Sequence, residues 1–236
     1  MKTTRKICSL ILTVLFVFSL AFTANAVEND LSSYSEAEIA MYSDLYEQDQ
    51  EAIAEIMVNL PAMLAAGNLA AQNDVKANMP VVASGSSLGS FGDILVSLII
   101  DSGSVGFAGH AGIVSSNSTI TIESYAQSCS PINKDGVQYY DNTWGTQSGA
   151  LLVRPYNATI ANFQQAALFA SQKIGKPYNW NFTNKTTTDA YYCSQLVWQA
   201  WLSAGIDCET GSVPNAIIAP ADLVNSSNTY IVQQVA

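Results

Sequence analysis

Histidine is almost absent from this chain of 236 residues: His110, in the run Gly109-His110-Ala111-Gly112-Ile113-Val114, is the only one. Imidazole is the side chain whose ordinary pKa lies nearest neutral pH, so a thiol or hydroxyl nucleophile that needs a histidine base must use His110. No two of the Cys and His residues lie close together, and there is no Cys-x-x-Cys or His-x-x-x-His pair. Structural or catalytic zinc is therefore not expected, and no cofactor is required. Basic residues are also scarce, with nine Lys and Arg against nineteen Asp and Glu. Binding a phosphate backbone needs clustered cations, so nucleic acid is excluded as a partner, and the same sign argues against an anionic lipid surface.

Long hydrophobic runs are missing except at the start. Lys2, Arg5 and Lys6 precede the apolar stretch Ile7 to Phe22, and Ala24-Asn25-Ala26 follows as a small-x-small cleavage site. Residues 1–26 read as a secretory signal cleaved after Ala26, because the run is shorter than the roughly 20 residues of a spanning helix. The expected product is secreted or cell-wall associated, with no stable membrane insertion once the signal is gone. Its six cations and nineteen carboxylates give a net charge of −13, which favours solubility and neutral or cationic ligands.

Cys8 leaves with the signal, and Cys129, Cys193 and Cys208 remain. In an oxidising compartment the simplest arithmetic is one disulfide and one free thiol, with Cys129 paired to Cys208 if Cys193 is free. Three reduced thiols are the alternative, since sequence alone cannot bring two Cα atoms within bridging distance.

Residues 27–80 form an acidic segment of helical pattern. Ser35 followed by Glu38 is a capping-box signature, and Ile39, Tyr42, Leu45, Tyr46, Ile53, Ile56 and Met57 recur at helical spacing. A helix over about 36–58 is predicted, then an interruption at Pro61 and a second short helix over 63–72. This segment reads as packing, capping or a removable inhibitory pro-segment. Residues 81–92, rich in Ser and Gly, read as a linker. They include Gly85-Ser86-Ser87-Leu88-Gly89, a formal nucleophile-elbow match that is rejected because Ser87, Asp101 and His110 leave no room for the sheet that an elbow requires.

From residue 93 to 236 the pattern is that of an α+β domain. Short runs over 94–100, 110–114, 119–124 and 150–154, and a closing run over 229–235, are rich in branched residues and separated by Gly, Ser and Asn. Helices are predicted over about 160–173, ending before Gly175 and Pro177, and over about 189–204, stopping at Gly205.

If Ser116-Asn117 is the turn between the strands at 110–114 and 119–124, His110 stands opposite Glu123. A carboxylate there can accept from one imidazole nitrogen and leave the other for a nucleophile. An ordinary cross-strand pair is the plain alternative, and a register slip of one residue would bring in Ser124 or the region of Asp135 instead. Cys193 falls in the first turn of the last long helix, with Thr188 or Asp189 as the expected cap. Unpaired N–H groups and the helix dipole favour a thiolate at such a place and can hold an oxyanion. A small buried apolar residue beside Leu196, Val197 and Trp198 is the other reading of that cysteine.

Taken together, Gly92-Asp93-Ile94, Gly109 to Val114, Glu123, Gly175-Lys176-Pro177-Tyr178, Tyr192-Cys193-Ser194-Gln195-Leu196-Val197-Trp198 and Pro220-Ala221-Asp222-Leu223 resemble the circularly permuted branch of the NlpC/P60 papain-like superfamily, the YiiX/YycO-type amidases. The resemblance covers about 91–235 and none of the N-terminal helices. In that branch His precedes Cys, as here. The resemblance implies a permuted papain-like fold, a small antiparallel sheet packed with helices, with Cys193 as nucleophile, His110 as base and Glu123 as third residue. Tyr178 corresponds to the aromatic that flanks the site and helps bind the oxyanion; a core tyrosine after Pro177 is its other reading. Expected, then, is a secreted cysteine amidohydrolase acting through an acyl-enzyme on a peptide or amide substrate, with bacterial cell-wall peptidoglycan the first class to test. An acyltransferase or lipid-directed thiol enzyme on the same scaffold, and a non-catalytic cell-wall binding module with an inert Cys193, are the rival expectations.

Overall fold

The computed structural model describes residues 36–73, 85–99, 109–209 and 217–236. The proposed signal and the first part of the proposed linker lie outside the described residues. The chain divides into Met1–Tyr42 and Ser43–Ala236; the second holds all the strands found among the described residues, and in the first only the opening residues of a helix are described.

That helix, α1 (Glu36–Asn73), runs unbroken through Pro61. The predicted break is therefore corrected. Proline removes one N–H, and the carbonyl it orphans belongs to Met57, a 55% exposed residue that water can reach. From Ser43 onward one face of α1 is anchored by the buried Ile56 and Leu60, and Gly67 sits so close to β6 (Thr229–Gln234) that a Cβ there would lie 1.8 Å from the Ile231 carbonyl oxygen. Packing of that face holds the helix together across a poor local residue.

The other strands are β1 (Ile94–Ser97), β2 (His110–Val114), β3 (Ile120–Tyr125), β4 (Gly136–Asp141) and β5 (Leu151–Pro155). They form one six-stranded sheet in the order β4-β3-β2-β1-β5-β6, and every pairing is antiparallel. Three further helices are α2 (Ile160–Ser171), α3 (Cys193–Ser203) and α4 (Pro220–Asn225). Helix α3 packs on β2 and β3 and against α2, where Phe163 meets Trp201 edge to face with centroids 4.9 Å apart. A pair of that kind adds about 0.5–1.5 kcal/mol beyond the area it buries. The fold is thus α+β, with helices packed on a small antiparallel sheet, as the sequence pattern implies.

Residues 85–92 are not a free linker. Leu88 is fully buried with Leu95, Val114, Trp144, Ala150 and Leu152, and its N–H and carbonyl both bond to the side chain of Asn142. Ser87, of the rejected elbow, is a buried residue of this same stretch. Strand β4 and the short α4 are elements the sequence reading did not identify.

Candidate active site

The β2–β3 hairpin sets the geometry. Its register pairs Gly112 with Glu123 and Val114 with Thr121, two residues away from the predicted register. The cause is the turn: Ser115 N–H bonds to the Ile120 carbonyl and Ile120 N–H to the Asn117 carbonyl, so the loop is longer than the two residues assumed. Because side chains alternate with period two, a slip of two keeps every residue on its predicted face. Glu123 moves from directly opposite His110 to the diagonal position, and Gly112 takes the place opposite it. A Cβ on Gly112 would lie 2.8 Å from Glu123 Cγ, so glycine leaves the room in which the glutamate side chain leans towards His110.

His110 Nε2 and Glu123 Oε2 are 2.7 Å apart, and both residues are buried. Cys193 lies beside His110, near enough that each group favours the charged form of the other. Cys193 is not in a turn capped by Thr188 or Asp189; it is the first residue of α3, and Tyr192 is the cap. Gln195 accounts for the start: its side-chain oxygen reaches back to accept from Tyr192 N–H at 3.1 Å, as glutamine at the third helical position commonly does. Three more bonds fix this turn. Ser194 Oγ donates to the Ile218 carbonyl at 2.6 Å, Ile218 N–H donates to the Tyr192 hydroxyl at 3.0 Å, and Ser124 Oγ donates to the Tyr191 carbonyl at 2.6 Å.

Glu123 is the most heavily bonded side chain of the site. Oε2 accepts from His110 and from the Tyr125 hydroxyl at 3.0 Å, while Oε1 accepts from Trp144 Nε1 at 3.0 Å and from the Thr121 hydroxyl. A carboxylate offers about four acceptor positions, and these donors fill them. Each bond to a charged group contributes roughly 1.5–3 kcal/mol, which together outweighs a burial penalty of several kcal/mol. Burial pushes the Glu123 carboxyl up, but His110, Thr121 and Trp144 hold it below the usual carboxylate range.

The same competition charges the other two groups. Burial opposes an imidazolium at His110, but Cys193 and Glu123 raise its pKa to about 9. Burial also opposes a thiolate at Cys193, but His110, the Ala111 N–H and Ser194 lower its pKa. The arrangement can therefore hold a thiolate and an imidazolium side by side, at the end of a helix whose first N–H groups are available to an oxyanion.

Tyr178 is buried near the sulfur, and the charge of Cys193 helps keep its phenol protonated, after burial itself. Its ring meets Trp180 and Phe182, and its N–H donates to Asp135 Oδ2 at 3.0 Å. Ser124 and Asp135, the alternatives to Glu123, hold backbone groups instead of His110. Cys129, Cys193 and Cys208 are all free, so the Cys129–Cys208 disulfide is corrected. Among the described residues no cluster of three His, Cys, Asp or Glu is placed to hold a metal ion. Thr121, Tyr125 and Trp144 were not singled out from sequence. Thr121 and Tyr125 share the alternating face of Glu123 and could have been found that way; Trp144 follows the unrecognised β4 and carried no such signal.

Known proteins resemble part of the chain. The family model described as permuted papain-like amidase enzyme, YaeF/YiiX, C92 family, matches residues 91–231. The protein YycO of Bacillus subtilis (strain 168) is 29% identical over 131 residues, which are 54% of this chain and 49% of YycO. The chain thus spans about half the length of that curated relative. The crystal structure of metalloprotein yiiX from Escherichia coli O157:H7 aligns with a TM-score of 0.45 at 17% identity, covering 61% of this chain and 97% of the other.

Proposed function

The chain belongs to the permuted papain-like amidase family of YaeF and YiiX, and on that premise we propose that it is a cysteine amidase or peptidase with Cys193 as nucleophile, His110 as general acid and base, and Glu123 as the orienting carboxylate. The observation that carries this reading is the buried Glu123–His110 hydrogen bond beside a helix-initial cysteine whose charge is coupled to that of the only histidine. The thiolate of Cys193 attacks the amide carbonyl carbon, and the carbonyl electron pair moves onto oxygen. The Cys193 N–H at the start of α3 stabilises that oxyanion, with Tyr178 beside it. Imidazolium gives its proton to the leaving nitrogen as the C–N bond breaks, leaving a thioester on Cys193 and neutral His110. Water then attacks the thioester, His110 takes its proton, and the acid departs as the thiolate reforms.

The substrate proposed is a peptide or amide outside the cell, with cell-wall peptides the first class to assay. That choice rests on the signal-like pattern of residues 1–26 and on the family. The net negative charge favours neutral or cationic substrates over anionic ones.

Alkylation tests the nucleophile without a known substrate. Cys129 is the most exposed of the three described thiols, while Cys193 and Cys208 are buried. Iodoacetamide at about pH 6, followed by peptide mass spectrometry, is expected to label Cys193 first, because thiolate character outweighs access. Labelling of Cys129 with Cys193 untouched, or amide hydrolysis that survives Cys193→Ala, overturns the reading.

A further inference from the structure

We propose that Tyr125 and Trp144 are positioning residues for the reaction, each gripping His110 and Glu123 together. The inference rests on the cysteine-amidase reading above and deepens it. Tyr125, the last residue of β3, stacks on the imidazole with centroids 4.0 Å apart and planes 24° apart, and its hydroxyl donates to Glu123 Oε2 at 3.0 Å. Trp144, in the short turn after β4, stacks on the same imidazole at 5.9 Å and 16°, and its Nε1–H donates to Oε1 at 3.0 Å. Two residues from different elements thus make the same pair of contacts, one to the ring and one to the carboxylate. A side chain present only to fill space needs neither the donor nor the parallel ring.

The double grip has two effects. The stacked rings fix the imidazole plane, so that Nε2 stays on Glu123 while the ring stays beside Cys193. The donors spread the negative charge of Glu123 and favour its ionised form, so a proton taken up by His110 stays on the imidazole. The indole N–H has no acceptor capacity, and the phenol stays protonated because burial and the nearby carboxylate raise its pKa. The titratable groups around Glu123 are His110 on β2, Tyr125 on β3, Tyr140 on β4 and, beyond His110, Cys193 on α3. The two tyrosines keep their protons, so the acid limb of thiolate reactivity reports on Glu123, His110 and Cys193 together.

The experiment compares the full chain with Tyr125→Phe and Trp144→Phe. The readouts are the rate of Cys193 alkylation across pH, kcat and KM on any amide substrate found, and the imidazole NMR signal, which the single histidine makes unambiguous. Losing one donor to a buried carboxylate should raise the acid limb by about one pH unit and slow alkylation on that limb about tenfold. On a substrate kcat should fall and KM should hold. A folded Tyr125→Phe protein with wild-type rate and acid limb overturns the proposal. Trp144 is buried in the core, so if Trp144→Phe fails to fold, Tyr125→Phe decides, since it removes one oxygen at a partly exposed residue. If wild-type Cys193 is not preferentially alkylated, the cysteine-amidase reading falls first. If it is, and neither variant changes the profile, only the positioning inference falls.

Discussion

Arg154 grips Asp93 through Nε at 2.6 Å and Nη2 at 2.8 Å, and His110 grips Glu123 through one nitrogen at 2.7 Å; both pairs are buried in the same sheet. Asp93 is fully buried and also accepts from Ser90 N–H, yet burial raises its carboxyl pKa, whereas Glu123, with its four donors, is held down. The partners differ more than the acids do. A guanidinium keeps its proton throughout the working pH range, so the Arg154 pair is a fixed strut joining β5 to the start of β1. An imidazole can release its proton, so the His110 pair can do chemistry, and it needs neighbours that decide when it is charged.

The comparison can be broken at the strut first. Arg154→Met leaves the Asp93 carboxyl buried without its partner, and thermal or urea unfolding should show a loss of about 3–5 kcal/mol. The activity of the molecules that remain folded should be close to wild type; a variant of normal stability means that Asp93 finds other compensation. At the second pair the expectation reverses. Glu123→Gln should lower kcat about a hundredfold even in the molecules that remain folded, and should also cost stability, because the amide keeps the shape but turns an N–H towards groups that themselves donate. Near wild-type activity in folded Glu123→Gln, as in Arg154→Met, would erase the distinction between strut and site. The smallest effect is in the pH profile. The raised His110 pKa means that imidazolium is present up to about pH 9, so kcat/KM should fall above that pH as the proton needed by the leaving group is lost. In Glu123→Gln, which removes a charge that raises the His110 pKa, this basic limb should move towards the ordinary imidazole range. A basic limb that stays in place assigns the shift to Cys193 alone.

Local signals carried a good deal of this. The sole histidine, a cysteine in the first turn of its helix, strand β2 and helix α2 follow from residue type and periodicity, and these are short-range properties. The hairpin register was misjudged by two because Ser116-Asn117 looks like a complete turn, although the chain needs a longer loop there; the period of the strand made the error harmless. What sequence did not reveal depends on contacts far apart in the chain. Trp144 reaches Glu123 from beyond β4, Asn142 bonds to Leu88 fifty-four positions away, and the continuity of α1 through Pro61 is held by packing that no local window contains.

The close approach of Gly67 to Ile231 changes what an N-terminal truncation would mean. β6 is the last strand of the sheet, and at Gly67 α1 comes up against its main chain; an uncovered last strand is a template for a further one. Cutting the helix away would uncover that border and invite self-association, so a shortened protein should first be weighed by light scattering. Any gain or loss of turnover belongs to the catalytic centre only if the shortened chain is still a single particle of the same stoichiometry as the parent.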